Sequence, residues 1–342
     1  MASISEQAHR ALPGRAFLVR EALHQGYGRG ALAHPRWHRP FSGVRTGAPP
    51  ASTLSGRALD YVPRLRPGDR FSHATALALL GCPIRGAPGA PVDVSSPAAR
   101  GRVACDGVVG HRHTAEAPQY PCVVPEQEEW IPVVSPLHAV LQAASTLPVR
   151  ELVVALDHLL RRDPQRYDPQ LRVLPKQLRR AAETAAGRGV VRFRAAAALA
   201  RVGADSRMET LMRLAGARAG MPELDLQFEV RDRAGVWIGR FDGADRASRS
   251  LFEFDGEQHL LTLGQRKRDA RKHQGARDAG WRILVFYREE LTGDLLPAGR
   301  SMLEFSGRLA RRVPAGLARL LDETAAGASE SAIPIRRRLD RG

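Results

Sequence analysis

Between Phe252 and His259 the sequence reads FEFDGEQH, so aromatic and acidic residues alternate until a glycine interrupts them. Successive side chains of a β-strand point to opposite faces, so Phe252 and Phe254 share one face while Glu253 and Asp255 share the other. Two carboxylates this close repel each other unless water or a positive charge lies between them. The pattern therefore predicts a strand with one buried face and an acidic face that water or a metal ion accommodates.

The residues around this stretch predict a small mixed sheet with flanking helices. We expect, in order, a helix at 206–220, strands at 224–230, 236–242 and 250–256, a basic helix at 264–280 and a buried strand at 281–287. This αβββαβ order is typical of a compact layered domain. The chain as a whole is predicted to be α/β (α+β).

Three carboxylates are predicted to meet in this domain. Asp242 ends the second strand, and a hairpin brings it beside Glu253 and Asp255. Oxygen ligands at a strand end suit a hard ion such as Mg²⁺ or Mn²⁺, which polarises a phosphodiester. His259 follows closely and is placed to accept or donate a proton. The alternative for Asp242, which precedes Gly243, is an ordinary turn residue.

The charge of the chain predicts an anionic partner. The 342 residues carry a formal charge of +16, which favours nucleic acid. The basic helix supplies candidate DNA-binding residues: Arg266, Lys267, Arg268, Arg271, Lys272 and Arg277. A solvated helix face, or an Arg-rich module for protein interaction, is the alternative interpretation.

Other features narrow the class of protein. The sequence has no long apolar run and no apolar leader, so we expect neither a membrane span nor secretion. The expected location is therefore the cytoplasm. The group Cys105, His111, His113 and Cys122 lacks the paired spacing of closed zinc sites. We therefore expect small buried thiols and polar histidines there.

The amino-terminal half has weaker patterns. The segment 17–45 holds two short helical stretches and a basic turn, which favours either a winged helix-turn-helix or an irregular basic arm. We expect a winged-helix-like DNA-binding region at 1–60, an α+β region at 61–165, a joint at 166–200, the mixed-sheet domain at 201–312 and a disordered tail at 325–342.

Asp242, the stretch FEFDGEQH, the basic helix and DAGWRILVF together resemble the PD-(D/E)xK nuclease superfamily, and within it the branch similar to the very-short-patch mismatch repair endonuclease. The segments FSGVRT, FSHATALALLG and SPLHAVLQAASTLPVRELVVALDHLLRR resemble, in order and character, the AbiEi-type antitoxins. The resemblance implies a restriction-endonuclease-like domain behind a winged-helix, antitoxin-like front half.

The resemblance also implies roles for individual residues. Asp242 and Glu253 become metal ligands, with Asp255 sharing the ion, and His259 becomes a catalytic histidine. Asp255 occupies the position where the superfamily has lysine, which leaves the group that activates water unassigned. Glu209 becomes the helix glutamate that supports the site; its alternative role is in a capping box, because it follows Ser206 at S-x-x-E spacing.

The expected function is therefore Mg²⁺-dependent hydrolysis of DNA phosphodiester bonds. The alternative is a non-enzymatic DNA-binding regulator or antitoxin, with a toxin protein as its partner. The sequence contains no signal for an oligomeric state.

Overall fold

The computed structural model describes residues 16–86, 89–113, 119–123, 130–161, 172–256, 263–324 and 329–330. The chain is a mixed α and β protein that divides into two compact units. One unit comprises Met1–Ser145 with Ala325–Gly342, and the other comprises Thr146–Thr324. None of the helices in the described ranges combines the length and the apolar character needed to cross a membrane.

Helices and strands are numbered here in chain order. The helices are α1 (Val19–His24), α2 (Arg29–Ala33), α3 (Leu54–Tyr61), α4 (His73–Leu79), α5 (Pro136–Ala143), α6 (Val149–Leu159), α7 (Pro175–Thr184), α8 (Val190–Leu199), α9 (Arg207–Ala219), α10 (Leu263–Asp278), α11 (Arg288–Thr292), α12 (Leu296–Ser306) and α13 (Ala315–Asp322). The strands are β1 (Phe17–Leu18), β2 (Val44–Arg45), β3 (Arg70–Phe71), β4 (Arg85–Gly86), β5 (Val92–Pro97), β6 (Val108–His113), β7 (Gln119–Val123), β8 (Trp130–Val134), β9 (Asp225–Arg231), β10 (Trp237–Asp245), β11 (Ser250–Phe254), β12 (Arg282–Phe286) and β13 (Ser329–Glu330).

The amino-terminal unit is built on a five-stranded sheet with the order β6-β5-β3-β8-β7. The β5–β6 and β3–β8 pairs are parallel, and the β3–β5 and β7–β8 pairs are antiparallel. Helices α4 and α5 pack together, and α4 also packs on β5 and β8. Phe71, Leu77 and Val133 are fully buried in this unit.

The first elements of the chain form a small structure in the same unit. Helices α1 and α2 enclose a cluster of Ala22, Tyr27 and Leu32, and β1 pairs antiparallel with β2. The Trp37 ring meets the Phe17 ring edge-on at 5.2 Å. Two short helices and a short antiparallel pair are thus present where the sequence predicts a DNA-binding region.

The carboxy-terminal unit contains the four-stranded sheet β12-β11-β10-β9. Strands β9, β10 and β11 are antiparallel neighbours, whereas β11 and β12 are parallel. The elements from α9 to β12 follow the predicted helix, strand and helix order. One boundary is wrong in the sequence analysis: β10 does not end at Asp242 but continues to Asp245, because residues 243–245 pair with residues 250–252 of β11.

The division of the chain into units also differs from the sequence expectation. The compact units separate between Ser145 and Thr146, so α6 and the segment predicted as a joint belong to the carboxy-terminal unit. The reason lies in packing, because α6 is buried along nearly its whole length and contacts α8, α9 and α13. In the tail, β13 pairs with β4; residues 325–328 and 331–342 lie outside the described residues.

Candidate active site

The carboxy-terminal unit gathers acidic and basic side chains from four elements. Glu209 lies in the first turn of α9, Asp242 in β10, Glu253 in β11, and Lys272 with His273 in α10. Asp242 and Glu253 lie on adjacent strands, because β10 and β11 pair with each other. We call these five residues the acid cluster.

Glu253 is bound by both basic members of the cluster. The Lys272 ammonium forms an ion pair with Oε1 of Glu253, and Nε2 of His273 lies 2.7 Å from Oε2. Burial alone would raise the pKa of Glu253, but the His273 hydrogen bond and the Lys272 charge outweigh burial and lower it. Glu253 is therefore a carboxylate held in its ionised form.

Asp242 has the opposite electrostatic environment. Burial, reinforced by the negative charges of Glu209 and Glu253, raises the pKa of Asp242 to about 7. Within the described part of the chain, its carboxylate accepts one hydrogen bond, from the Phe254 amide to Oδ2 at 2.9 Å, and has no ion-pair partner. Asp242 lies inside β10, so the alternative that it is a turn residue is wrong.

Glu209 lies in a first turn that Ser206 caps, but its side chain does not close the predicted capping box on the Ser206 amide. Ser206 caps α9 by accepting from the Glu209 amide at 3.2 Å, and Oε2 of Glu209 accepts from the Asp205 amide at 2.7 Å. The same oxygen accepts from Nε2 of Gln227 at 2.8 Å. Burial raises the pKa of Glu209, whose charge in turn raises the pKa of Asp242. Glu209 thus fixes the residue before the cap and adds negative charge near Asp242, and its support of a metal ion stays a prediction.

Packing against the sheet orients Lys272 and His273. The Lys272 ammonium lies 4.2 Å from the centroid of the Phe241 ring, and the His273 ring stacks on Phe241 at 6.2 Å. A Cβ on Gly239 would lie 2.7 Å from Cγ of Lys272, so the missing side chain at 239 leaves room for the lysine stem. The orientation of Lys272 therefore depends on Phe241 and Gly239 of β10.

The remaining residues that the sequence predicts for the site do not belong to the acid cluster. Asp255 follows β11, and its amide donates to the Phe286 carbonyl at 2.9 Å. His259 and the side chain of Arg266 lie outside the described residues. Lys267, Arg268, Arg271 and Arg277 are exposed on α10. Lys272 is not exposed like these four, because it is paired with Glu253.

The contacts of Lys272 and His273 with Glu253 are not predicted by the sequence. Its pattern predicts Lys272 as a DNA-binding residue of the basic helix and no role for His273. The sequence offers no distinct signal for these roles, because lysine also occurs at Lys176 and Lys267, which lie outside the acid cluster.

The described side chains of the group Cys105, His111, His113 and Cys122 do not form one site. His113 contacts Arg70 at 3.0 Å, whereas His111 contacts Asp93 at 2.9 Å. Cys105 is partly exposed rather than buried, and the side chain of Cys122 lies outside the described residues. The expectation of a buried thiol is therefore wrong for Cys105.

No family model matches the chain, and no curated protein matches it significantly. Among solved structures, the chain is similar to the RV2827C protein from Mycobacterium tuberculosis, with 19% sequence identity and a TM-score of 0.34. The match covers 58% of this chain and 80% of that chain.

Proposed function

We propose that the carboxy-terminal unit is a restriction-endonuclease-like domain that hydrolyses DNA phosphodiester bonds with Mg²⁺ or Mn²⁺. The observation that supports this proposal is the acid cluster. Asp242 is partly buried and forms no ion pair with the described side chains, and it lies on the strand next to Glu253, which Lys272 and His273 hold in place. The αβββαβ order of the elements from α9 to β12 is the order that the sequence resemblance implies for such a domain.

The donor set fits a hard divalent cation. Asp242, Glu253 and Glu209 supply only carboxylate oxygens, which Mg²⁺ and Mn²⁺ prefer. Burial is the main cause of the raised pKa of Asp242, and the charges of Glu209 and Glu253 add to it, so a bound cation would favour the ionised carboxylate. Asp242 and Glu253 would hold the ion, with Glu209 in support. The ion would supply Lewis-acid polarisation of the phosphate.

The basic members of the cluster would perform the steps that belong to the chain itself. Lys272 is restrained by Glu253 and Phe241, so its ammonium can donate a hydrogen bond to the attacking water or to a phosphate oxygen. His273 shares Glu253 with Lys272, and its imidazole can accept or release a proton close to this carboxylate. Lys272 would thus take the role that the resemblance leaves unassigned at Asp255.

The exposed basic residues of α10 would hold the DNA. Lys267, Arg268, Arg271 and Arg277 can each neutralise a phosphate, and this binding would weaken as the salt concentration rises. Such contacts position the backbone without selecting a sequence.

A plasmid-nicking assay tests the nuclease proposal. The wild type is expected to nick supercoiled DNA with Mg²⁺ or Mn²⁺ and to stop when EDTA is added. Lys272→Met and Glu253→Gln are expected to slow nicking by at least about 100-fold, because each removes a charge from the reacting centre. Lys176→Met is the matched control, since it removes an exposed lysine of α7, outside both the acid cluster and the basic helix, and should leave the rate within about threefold.

The nuclease proposal also requires a metal response in the folded protein. Mn²⁺ should raise the Tm of the wild type and of Lys176→Met, but not that of Glu253→Gln. A wild type that neither nicks DNA nor responds to Mn²⁺ would show that the cluster is not a metal-dependent nuclease site.

A second function, DNA-binding regulation without cleavage, is favoured by the basic surface at residues 34–50 of the amino-terminal unit. Arg36 and Arg39 are exposed there, and the Arg36 guanidinium lies 4.5 Å above the Trp37 ring. We expect the full chain carrying Glu253→Gln to protect a defined DNA site in footprinting, and Arg36→Ala with Arg39→Ala to weaken that protection about tenfold or more. Uniform protection at every position, unchanged in the double variant, would exclude this surface as a sequence-selective reader.

A further inference from the structure

Three potential metal ligands meet in the amino-terminal unit, which is separate from the unit that holds the acid cluster. His73 begins α4, Asp93 lies in β5, and His111 lies in β6. One ligand atom from each residue lies within 4.8 Å of the other two. No other trio of His, Cys, Asp or Glu in the described ranges meets this criterion.

The backbone places His73 over the sheet at some conformational cost. His73 has a φ of +52°, in the left-handed region that non-glycine residues adopt infrequently. The Ser72 amide donates to the Asp93 carbonyl at 3.1 Å, which ties the start of α4 to β5 beside the Asp93 side chain. The His73 ring lies against the His111 ring, with centroids 3.7 Å apart and planes 20° apart.

Neighbouring hydroxyl groups support the potential ligands. Ser72 Oγ lies 3.0 Å from Nδ1 of His73, and Thr75 Oγ1 donates to Oδ2 of Asp93 at 3.4 Å. Nε2 of His111 is 2.9 Å from Oδ1 of Asp93. Outer partners of this kind select a tautomer and orient ligand side chains in metal sites.

We infer that His73, Asp93 and His111 form a binding site for a divalent transition metal ion, for which Zn²⁺ is the natural probe. Two imidazole nitrogens and one carboxylate oxygen suit Zn²⁺, whereas Mg²⁺ prefers oxygen ligands alone. The side chains of His111 and Asp93 are 23% and 15% exposed, so an ion can reach them from solvent.

Binding requires only a local adjustment of side chains. Ligand atoms on one tetrahedral zinc are roughly 3.3 Å apart, so atoms now within 4.8 Å of each other need to approach by at most about 1.5 Å. The three side chains leave one position of a tetrahedral ion for a water molecule. The bound ion would cross-link α4 to β5 and β6 and so stabilise the folded unit.

Metal binding by the full chain, stripped with EDTA and desalted, tests this inference. We expect Zn²⁺ to raise the Tm by several degrees at concentrations where Mg²⁺ does not, and Co²⁺ to give the intense visible absorption of a tetrahedral site. His111→Gln and Asp93→Asn are expected to weaken Zn²⁺ binding at least about 100-fold by calorimetry and to abolish the Co²⁺ absorption.

Two controls separate this site from the acid cluster. His24→Gln replaces an exposed histidine of the same unit and should bind Zn²⁺ as the wild type does. His111→Gln should retain any stabilisation by Mn²⁺ that depends on Glu253. A wild type without a tetrahedral Co²⁺ spectrum, or variants that bind Zn²⁺ as tightly as the wild type, would overturn the inference; the wild-type spectrum decides even if a variant fails to fold.

Discussion

Asp242→Asn is expected to raise the Tm of the metal-free protein at pH 8 by roughly 5 to 10 °C. The wild-type carboxylate is ionised at this pH in a partly buried position beside Glu209 and Glu253. Asparagine has nearly the same size, and its side-chain oxygen can still accept the hydrogen bond from the Phe254 amide. The substitution therefore removes the buried charge and keeps the local contacts.

The direction of the pH dependence follows from proton binding. Asp242 ionises at its usual pKa of 3.8 when unfolded and at about 7 when folded. Between these values the folded state holds the additional proton, so the free energy of unfolding falls as the pH rises. The destabilisation is absent below the lower pKa, complete above the higher one, and amounts to a few kcal/mol.

Thermal melts in EDTA from pH 5 to pH 8 measure this effect. The Tm difference between Asp242→Asn and the wild type should shrink steadily as the pH falls. Asp225→Asn is the matched control, because the Asp225 side chain is 55% exposed and its neutralisation should change the Tm by about 1 °C or less. Equal Tm values for Asp242→Asn and the wild type across this range would mean that Asp242 carries no unfavourable charge.

Asp157→Ala is expected to destabilise the carboxy-terminal unit by about 3 to 5 kcal/mol. Asp157 is fully buried in α6 and accepts from Nη2 of Arg213 at 2.7 Å, from Thr210 Oγ1 at 3.0 Å and from the Arg201 amide at 2.7 Å. Alanine would leave the guanidinium of Arg213, whose side chain is only 7% exposed, without this carboxylate. An uncompensated buried charge is among the largest single costs in a folded protein.

Denaturant unfolding at pH 7.5 provides the measurement. Glu223→Ala is the matched control, because Glu223 also binds Arg201 but through a side chain that is 60% exposed. This control is expected to cost less than about 1 kcal/mol. If both substitutions change the free energy of unfolding equally, burial does not determine the strength of these pairs.

The carboxy-terminal strands were predictable because their signal is local. The alternation around Phe252 and Glu253 identifies β11, and the apolar run before Tyr287 identifies β12, each to within a residue or two. The end of β10 was not predictable, since residues 243–245 are a plausible turn until their pairing with β11 extends the strand. The local conformational preference of the Asp242–Gly243 pair is the same whether these residues form a turn or continue a strand.

The division into units also depended on more than local pattern. The apolar residues of α6 are close together in the sequence, whereas the helices that cover them are not. Because α6 contacts α8 and α9, the boundary falls before this helix rather than after it. The buried partners of Asp157 are likewise distant in sequence and meet only in the fold.

The sequence by itself determined which residues alternate, where basic charge is concentrated and that Asp242 and Glu253 belong to neighbouring strands. Only the tertiary structure placed Lys272 and His273 on Glu253, and only it brought His73 to Asp93 and His111. The physical reason is the range of the interactions. Periodicity is a property of consecutive residues, whereas side-chain encounters depend on sheet order, register and helix rotation, which the whole chain decides by burying its apolar surface.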